Sequence, residues 1–241
     1  MNLIQRCQYC NKFLLGMYCI DPWGQPFCKD HEHEYPKCEL CSRLIPPNKR
    51  VVGLPGCTLC SYDAVTSLSI ALPLFNTAKA WIRWRGIPIE KVEIPLTLCS
   101  SSVLKAQLGS AGDSKHLGMT MKLTQSRGQQ SWTSVSEIRI LCGLPKILFI
   151  GVCIHELGHA WLHLNNITEL PAIDEEGFCE MLSFAYYNGS DDKRASYFCK
   201  SIESKCDPIY GDGFRKVLAL QRRYGFAPFI NALLRNGAMP H

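Results

Sequence analysis

Four pairs of potential metal ligands, all with the same spacing, lie within the first 60 residues of this 241-residue chain. Each pair forms a turn that presents two ligands to one tetrahedral zinc ion, and two such pairs complete a four-ligand site. Because the two loops that separate paired turns have similar lengths, 17 and 15 residues, we predict two structural zinc ions in tandem. The predicted ligands are Cys7, Cys10, Cys28 and His31 in the first zinc knuckle and Cys38, Cys41, Cys57 and Cys60 in the second.

Two ligand choices stay open in these knuckles. Cys60 and Asp63 have the same spacing as the other pairs, so Asp63 is an alternative to Cys57, although we favour the thiolates. His33 is an alternative to His31, but only His31 keeps two intervening residues.

The cysteine content and the charge limit the classes of protein to which the chain can belong. Fourteen cysteines, with no apolar signal segment at the N-terminus, favour metal binding in a reducing cytoplasm over disulfides in a secreted protein. Cys19 has no partner at pair spacing and is predicted to be a small buried side chain. The net charge of +5 is spread along the chain, which disfavours nucleic-acid binding. No apolar run reaches roughly 18 residues, so we expect no membrane span.

The segment His155-Glu156-Leu157-Gly158-His159 is the strongest catalytic motif in the sequence. On a helix, residues i and i+4 lie on one face, so the two histidines can bind one metal ion. Glu156 lies at the edge of that face, where it can act on a water molecule, as in the H-E-x-x-H motif of zinc metallopeptidases. The apolar residues before the motif predict a buried helix over about 145–164. A pair of ordinary core histidines is the alternative interpretation.

A second helix, predicted over 170–187, offers the third ligand. Glu176 is separated from His159 by 16 residues, and Glu175 is the alternative ligand. The alternative role for this acidic pair is stabilisation of the helix N-terminus. Cys179 is assigned to the apolar stripe of the same helix. His163 is too far along the first helix to reach the same metal ion, so we assign it to the surface or to a supporting position.

The residues before the motif predict a small sheet that covers the metal-binding helix. Residues 67–87 have helical spacing, interrupted at Pro73. Alternating or branched apolar segments predict strands, and polar or glycine-rich segments predict loops. The predicted strands are 91–99, 118–125 and 136–142, and the predicted loops are 108–117 and 126–134. We expect strand 136–142 to pair with an extended substrate.

The segment PIYGDGFR, residues 208–215, is rich in glycine and aromatic residues and predicts a turn into a helix. A turn of this kind can direct the Tyr210 hydroxyl into a cleft as a hydrogen-bond donor. A packed tyrosine in a tight turn is the alternative.

The order of these motifs resembles that of the LIM-domain zinc metallopeptidases that regulate plant organ size and are activated by ubiquitin. The segments HEHEYPKC, HAWL, EEG and YGDGFR carry this resemblance, which extends over nearly the whole chain. It implies a gluzincin-like endopeptidase with His155, His159 and Glu176 on a catalytic zinc ion and Glu156 as the base. It also implies that the knuckles recruit substrates or bind a regulatory protein. Because no ubiquitin-interacting helix precedes Cys7, we expect a compact relative without ubiquitin-interacting motifs.

Together these features predict an α+β fold with two domains. We expect a LIM-like tandem zinc-knuckle module over 1–66 and a zincin-like metallopeptidase domain over 67–241. The predicted function is hydrolysis of peptide bonds in protein substrates, with one catalytic and two structural zinc ions. Glu156 would act as base and Tyr210 would stabilise the oxyanion. The rival hypothesis is a non-catalytic, zinc-stabilised scaffold in which the HELGH site is structural and its fourth coordination position is closed.

Overall fold

The computed structural model describes residues 5–49, 51, 53–89, 93–108, 116–127 and 130–240. The chain divides into two compact units: the first comprises Met1–Val65 and Gly143–Lys146, and the second comprises Thr66–Cys142 and Ile147–His241. The sequence analysis placed the boundary after residue 66 and assigned all later residues to the second domain. The structure differs because a short antiparallel bridge holds Leu144 and Pro145 against Val65 and Ala64.

The elements are short in the first unit and longer in the second. In chain order they are β1 (Cys19–Ile20), β2 (Pro26–Phe27), α1 (His31–Glu34), α2 (Thr58–Ser61), β3 (Ala64–Val65), α3 (Leu68–Trp84), β4 (Leu96–Cys99), α4 (Ser101–Leu108), β5 (Gly118–Arg127), β6 (Gln130–Leu141), β7 (Leu144–Pro145), α5 (Lys146–Leu164), α6 (Ala172–Asn188), α7 (Ala195–Glu203), α8 (Tyr210–Tyr224) and α9 (Phe226–Asn236).

The first unit has little regular structure and a small apolar core. β1 pairs with β2 in an antiparallel hairpin, and β3 pairs with β7. Cys7, Phe27 and Leu44 form a buried cluster, against which Tyr9 and Tyr35 pack. A core of this size contributes little free energy of folding, so a unit of this kind needs additional stabilisation such as bound metal.

The second unit contains a three-stranded sheet with the order β4-β6-β5, in which β4 is parallel and β5 antiparallel to β6. Strand 118–125 is therefore confirmed, but the predicted loop 126–134 is wrong. Its described residues extend the β5–β6 hairpin, because cross-strand pairing overrides their polar composition. The prediction for 136–142 as the substrate-pairing strand is also wrong, since β6 is the central strand and both of its edges are occupied.

Several predicted boundaries change in the structure. The helix interrupted at Pro73 is continuous as α3, with Pro73 inside it. The strand predicted over 91–99 is observed only from Leu96, and 91–92 lie outside the described residues. α4 was not predicted, and its last residue begins the predicted loop 108–117, most of which also lies outside the described residues. The helix predicted from 145 begins at Lys146 because Pro145 belongs to β7.

α5 is the core helix of the second unit. By length and composition it is apolar enough to cross a membrane, which the sequence analysis did not expect, but 78% of the tested window is buried inside the fold. Trp161 of α5 packs on Phe178 of α6, and Phe178 stacks on Phe229 of α9. These contacts are those of a helix surrounded by protein, and they place the HELGH motif in the interior.

α6 and α8 cross at two glycines, Gly177 and Gly213. A Cβ atom at Gly213 would lie 2.2 Å from the carbonyl oxygen of Ile173, and one at Gly177 would lie 2.3 Å from that of Gly213. No side chain can be accommodated there without a backbone shift. This close approach brings the start of α8 towards the acidic residues of α6.

Replacing Gly213 by Ala is expected to lower the free energy of unfolding by roughly 1–3 kcal/mol, because an added methyl group in rigid packing forces the helices apart. That cost exceeds the gain of up to about 1 kcal/mol from the better helix propensity of alanine. Urea unfolding followed by circular dichroism measures the change. Gly189→Ala is the matched control, because the nearest atom to its added Cβ would be 3.6 Å away. A Gly213→Ala variant at least as stable as the wild type would contradict the close packing.

Candidate functional site

The four ligands predicted for the first knuckle lie together. One ligand atom from each of Cys7, Cys10, Cys28 and His31 is within 4.8 Å of the others. The Sγ atoms of Cys10 and Cys28 are 3.6 Å apart, close to the roughly 3.8 Å edge of a tetrahedron with Zn–S bonds of about 2.3 Å. His31 Nδ1 lies 3.0 Å from Glu34 Oε2, while its Nε2 is buried without a hydrogen-bond partner in the described chain. These residues can hold zinc.

The second knuckle is a cluster of four buried thiols, Cys38, Cys41, Cys57 and Cys60. Cys38 and Cys60 are 3.9 Å apart and Cys41 and Cys57 are 3.8 Å apart, which again fits a tetrahedral zinc site. Hydrogen bonds from Cys41, Cys57 and Cys60 lower the pKa of Cys38, and the backbone N–H of Cys57 also donates to its Sγ. This environment favours a thiolate.

The alternative knuckle residues lie elsewhere. Asp63 is outside the four-thiol cluster, and His33 is exposed whereas His31 is buried. The prediction that Cys19 is buried is wrong. Its side chain is partly exposed, and its thiol donates a hydrogen bond to Glu32 Oε2 at 3.7 Å.

The HELGH helix and α6 bring three ligand atoms to one point. The Nε2 atoms of His155 and His159 are 3.2 Å apart, as the i, i+4 spacing on α5 requires. Oε2 of Glu176 lies 3.2 Å from the first and 3.5 Å from the second. Zn–N and Zn–O bonds of about 2.0–2.1 Å give tetrahedral edges of roughly 3.3 Å. Because Glu176 Oε2 is also buried without a hydrogen-bond donor in the described chain, these residues fit a zinc ion.

Glu175 binds the opposite side of the second histidine. Its Oε1 is 2.8 Å from Nδ1 of His159, and the hydrogen bond to His159 lowers the pKa of Glu175. Nε2 of His163 lies 3.8 Å from the same oxygen. His163 is buried, so the alternative that placed it at the surface is wrong, and it supports Glu175 instead. A carboxylate at Nδ1 fixes the ring tautomer and directs Nε2 towards the metal.

Removing this support is expected to weaken metal binding. Glu175→Ala should lower the affinity of the α5 centre for zinc by roughly 10–100-fold, the usual effect of losing such an outer partner. Competition with a chromophoric chelator measures that affinity, and Glu169→Ala, at an exposed position before α6, is the matched control. Equal affinities in the Glu175→Ala variant and the wild type would show that Glu175 does not orient the histidine.

Glu156 lies beneath the edge strand of the sheet. The Thr120 hydroxyl donates a hydrogen bond of 2.8 Å to Glu156 Oε2, and the carboxylate is buried. A Cβ atom at Gly118 would lie 2.7 Å from Oε1, so β5 passes directly over the carboxylate. Within the described residues, the outer edge of β5 is unpaired. β5, rather than β6, is therefore the strand beside the site.

Tyr210 begins α8, and Asp207 fixes that start by accepting two backbone N–H groups at 2.9 and 2.8 Å. Burial raises the pKa of Tyr210 above its ordinary value, and the negative charge of Glu176 adds to the effect. The tyrosine is thus in the electrostatic field of the α5 centre. Lys205 lies 5.2 Å above its ring and forms an ion pair with the buried Glu180. The sequence analysis missed this pair, which joins residues from α6 and the loop before α8.

Cys179 is a further residue near the centre that the sequence analysis assigned only to apolar packing. Its thiol and one ring nitrogen from each of His155 and His159 all lie within 4.8 Å of one another. Burial raises the pKa of this thiol to about 12. Its position three residues after Glu176, on the same helical face, was the available signal.

Comparisons with known proteins agree with this arrangement. The model of the DA1-like family, described as Protein DA1, matches residues 95–191, which include the HELGH motif and Glu176. Protein DA1 of Arabidopsis thaliana is 26% identical over 98% of the chain and 57% of its own length. The LIM domain-containing protein HDR3 of Oryza sativa subsp. japonica is 24% identical over 98% of the chain and 62% of its own length. Protein DA1-related 7 of Arabidopsis thaliana is 28% identical, with 88% and 49% covered.

The chain therefore spans about half to three-fifths of the length of these relatives. No solved structure matches it. The matches with the DA1 proteins and with a LIM domain-containing relative support the assignment of the chain to the DA1-like family.

Proposed function

We propose that this chain is a zinc-dependent endopeptidase that cleaves protein substrates, with a zincin-like catalytic domain in its second unit. The observation that carries this proposal is the convergence of His155 Nε2, His159 Nε2 and Glu176 Oε2, with the Glu156 carboxylate on the adjacent helical position. When bound there, zinc supplies Lewis-acid chemistry, which polarises a carbonyl group and lowers the pKa of water. Three protein ligands leave a coordination position for substrate.

Glu156 is the general base in this proposal. Thr120 holds one of its oxygens through a hydrogen bond, and the surrounding burial keeps bulk water away from the carboxylate. Glu156 accepts a proton from the attacking water and passes it to the leaving amine. The residue needs no large movement for this role, because it follows His155 directly on α5.

Tyr210 and β5 position the substrate. The buried Tyr210 hydroxyl keeps its proton across the neutral range, since burial raises its pKa, and it can donate to the developing oxyanion. The unpaired edge of β5 can add an extended peptide as a further strand, which places a scissile bond beside Glu156. An extended protein segment is therefore the substrate class that we propose.

The two knuckles complete the proposal as a LIM-like module. Their ligand sets fit two structural zinc ions, and this unit then recruits substrate or binds a regulatory protein. All 14 cysteines are free thiols, which supports a reducing compartment such as the cytoplasm.

The test is a cleavage assay with the zinc-loaded full chain and a mixture of unfolded proteins. New peptide N-termini, identified by mass spectrometry, are expected with the wild type and should disappear with His159→Ala or after chelation. Absence of new termini from the zinc-loaded wild type, or equal numbers from His159→Ala, would contradict a peptidase centred on α5.

A further inference from the structure

We propose that Cys179 is a fourth protein ligand of the metal centre on α5, so that the centre has a closed state held by two imidazoles, one carboxylate and one thiolate. The inference rests on the proposed metal centre but not on peptidase activity. The observation behind it is the cluster of His155, His159 and Cys179, whose ligand atoms all lie within 4.8 Å of one another.

The position of Cys179 on α6 explains how its thiol reaches the centre. Residues three apart lie on one helical face, so Cys179 follows Glu176 on the side that faces α5. Its side chain is completely buried. No other chain element needs to move for the thiol and the carboxylate to face the same pair of histidines.

Gly158, inside the HELGH motif, provides the space for this thiol. A Cβ atom at Gly158 would lie 2.9 Å from Cys179 Sγ and 3.2 Å from a methyl carbon of Leu182. Because residue 158 has no side chain, the sulfur lies against the backbone of α5 beside the residue that precedes His159. The motif thus admits a thiol where most side chains would exclude one.

The chemistry of the donor set fits zinc. Thiolate sulfur binds zinc at about 2.3 Å, and sites with mixed sulfur, nitrogen and oxygen donors are common. On binding, the S–H bond breaks, an S–Zn bond forms and the proton is released to solvent. Rotation about χ1 takes a cysteine between discrete staggered positions, so Sγ can move from its place against Gly158 to the metal without a change in the backbone.

The number of protein ligands decides what such a centre can do. Four protein ligands close a zinc site, whereas three leave a position for substrate chemistry. Cys179 therefore gives the centre a resting state that cannot bind substrate at the metal. Rotation of Cys179 away from the metal opens the centre while His155, His159 and Glu176 keep it bound.

The experiment is cadmium-113 NMR of the full chain after complete replacement of zinc by cadmium. The chemical shift of this nucleus moves strongly downfield with each sulfur ligand. The wild type is expected to give three resonances, and Cys179→Ser should move one of them upfield and leave the other two unchanged. The two unchanged knuckle resonances also show that the variant has folded. Cys199→Ser, at a buried cysteine of α7 outside the metal clusters of the described chain, should change none of the three.

The outcomes separate this inference from the proposed function. Three resonances at identical positions in the wild type and in Cys179→Ser would overturn Cys179 as a ligand and leave the three-ligand centre intact. Only two resonances in the wild type would overturn both proposals. A His155→Ala variant should lose the resonance that Cys179→Ser shifts, and loss of a different resonance would also overturn the inference.

Discussion

Glu156→Gln should lower the kcat for peptide cleavage by roughly 10²–10⁴-fold and leave three metal ions bound per chain, because an amide cannot act as a general base. The substitution preserves the size of the side chain, and its amide oxygen can still accept the hydrogen bond from Thr120. Metal binding should survive, since Glu156 contributes none of the three converging ligand atoms. Cleavage rates and elemental analysis of the same samples test both parts.

The matched control for this substitution is Glu169→Gln, which makes the same chemical change at an exposed position. It is expected to cleave substrate at the wild-type rate. Cleavage by Glu156→Gln at the rate of this control would remove Glu156 from the mechanism. Loss of metal from Glu156→Gln would show that Glu156 is a ligand rather than a base.

Cys38→Ser is expected to remove one metal ion and to unfold the second knuckle. Structural zinc contributes on the order of 10 kcal/mol in small zinc-binding units, which equals or exceeds the total stability of a typical domain. Cys38 accepts a hydrogen bond from the backbone of Cys57 and is the thiol whose pKa its three neighbours lower. Its loss removes both a ligand and the anchor of the surrounding loop.

Hydrogen exchange and metal content together measure the effect of this substitution. Amides in 36–62 should lose their protection in Cys38→Ser, and the bound metal should fall from three ions to two. Cys206→Ser, at an exposed cysteine outside the metal clusters of the described chain, should match the wild type in both measurements. Wild-type protection and metal content in Cys38→Ser would show that the knuckle is stabilised by its apolar contacts instead.

The features that the sequence predicted best depend on local spacing. A C-x2-C turn or two histidines at i, i+4 have their geometry set within a few residues, and the structure groups both kinds of ligand as the spacing required. Glu176 needed one longer-range assumption, that α6 turns its acidic end towards α5. The paired helices satisfy it because the glycine contact with α8 and the aromatic contact with α5 fix the orientation of α6.

The features that the sequence did not predict depend on contacts between distant segments. The order of the strands follows from pairing across more than 40 residues, so β5 rather than β6 could not be identified as the edge. Burial of His163 and the Lys205–Glu180 ion pair arise from helix packing that leaves no period in the sequence. Cys179 has the composition of a core residue, and only the space at Gly158 distinguishes it from one.

The central claim is that this chain holds three zinc ions, one of them between α5 and α6. The most direct test is the zinc content of the full chain after equilibration with excess zinc and removal of unbound metal. The account predicts three ions per chain in the wild type and two in a His155→Ala, His159→Ala double variant. Two ions in both proteins would contradict it, because the HELGH helix would then bind none.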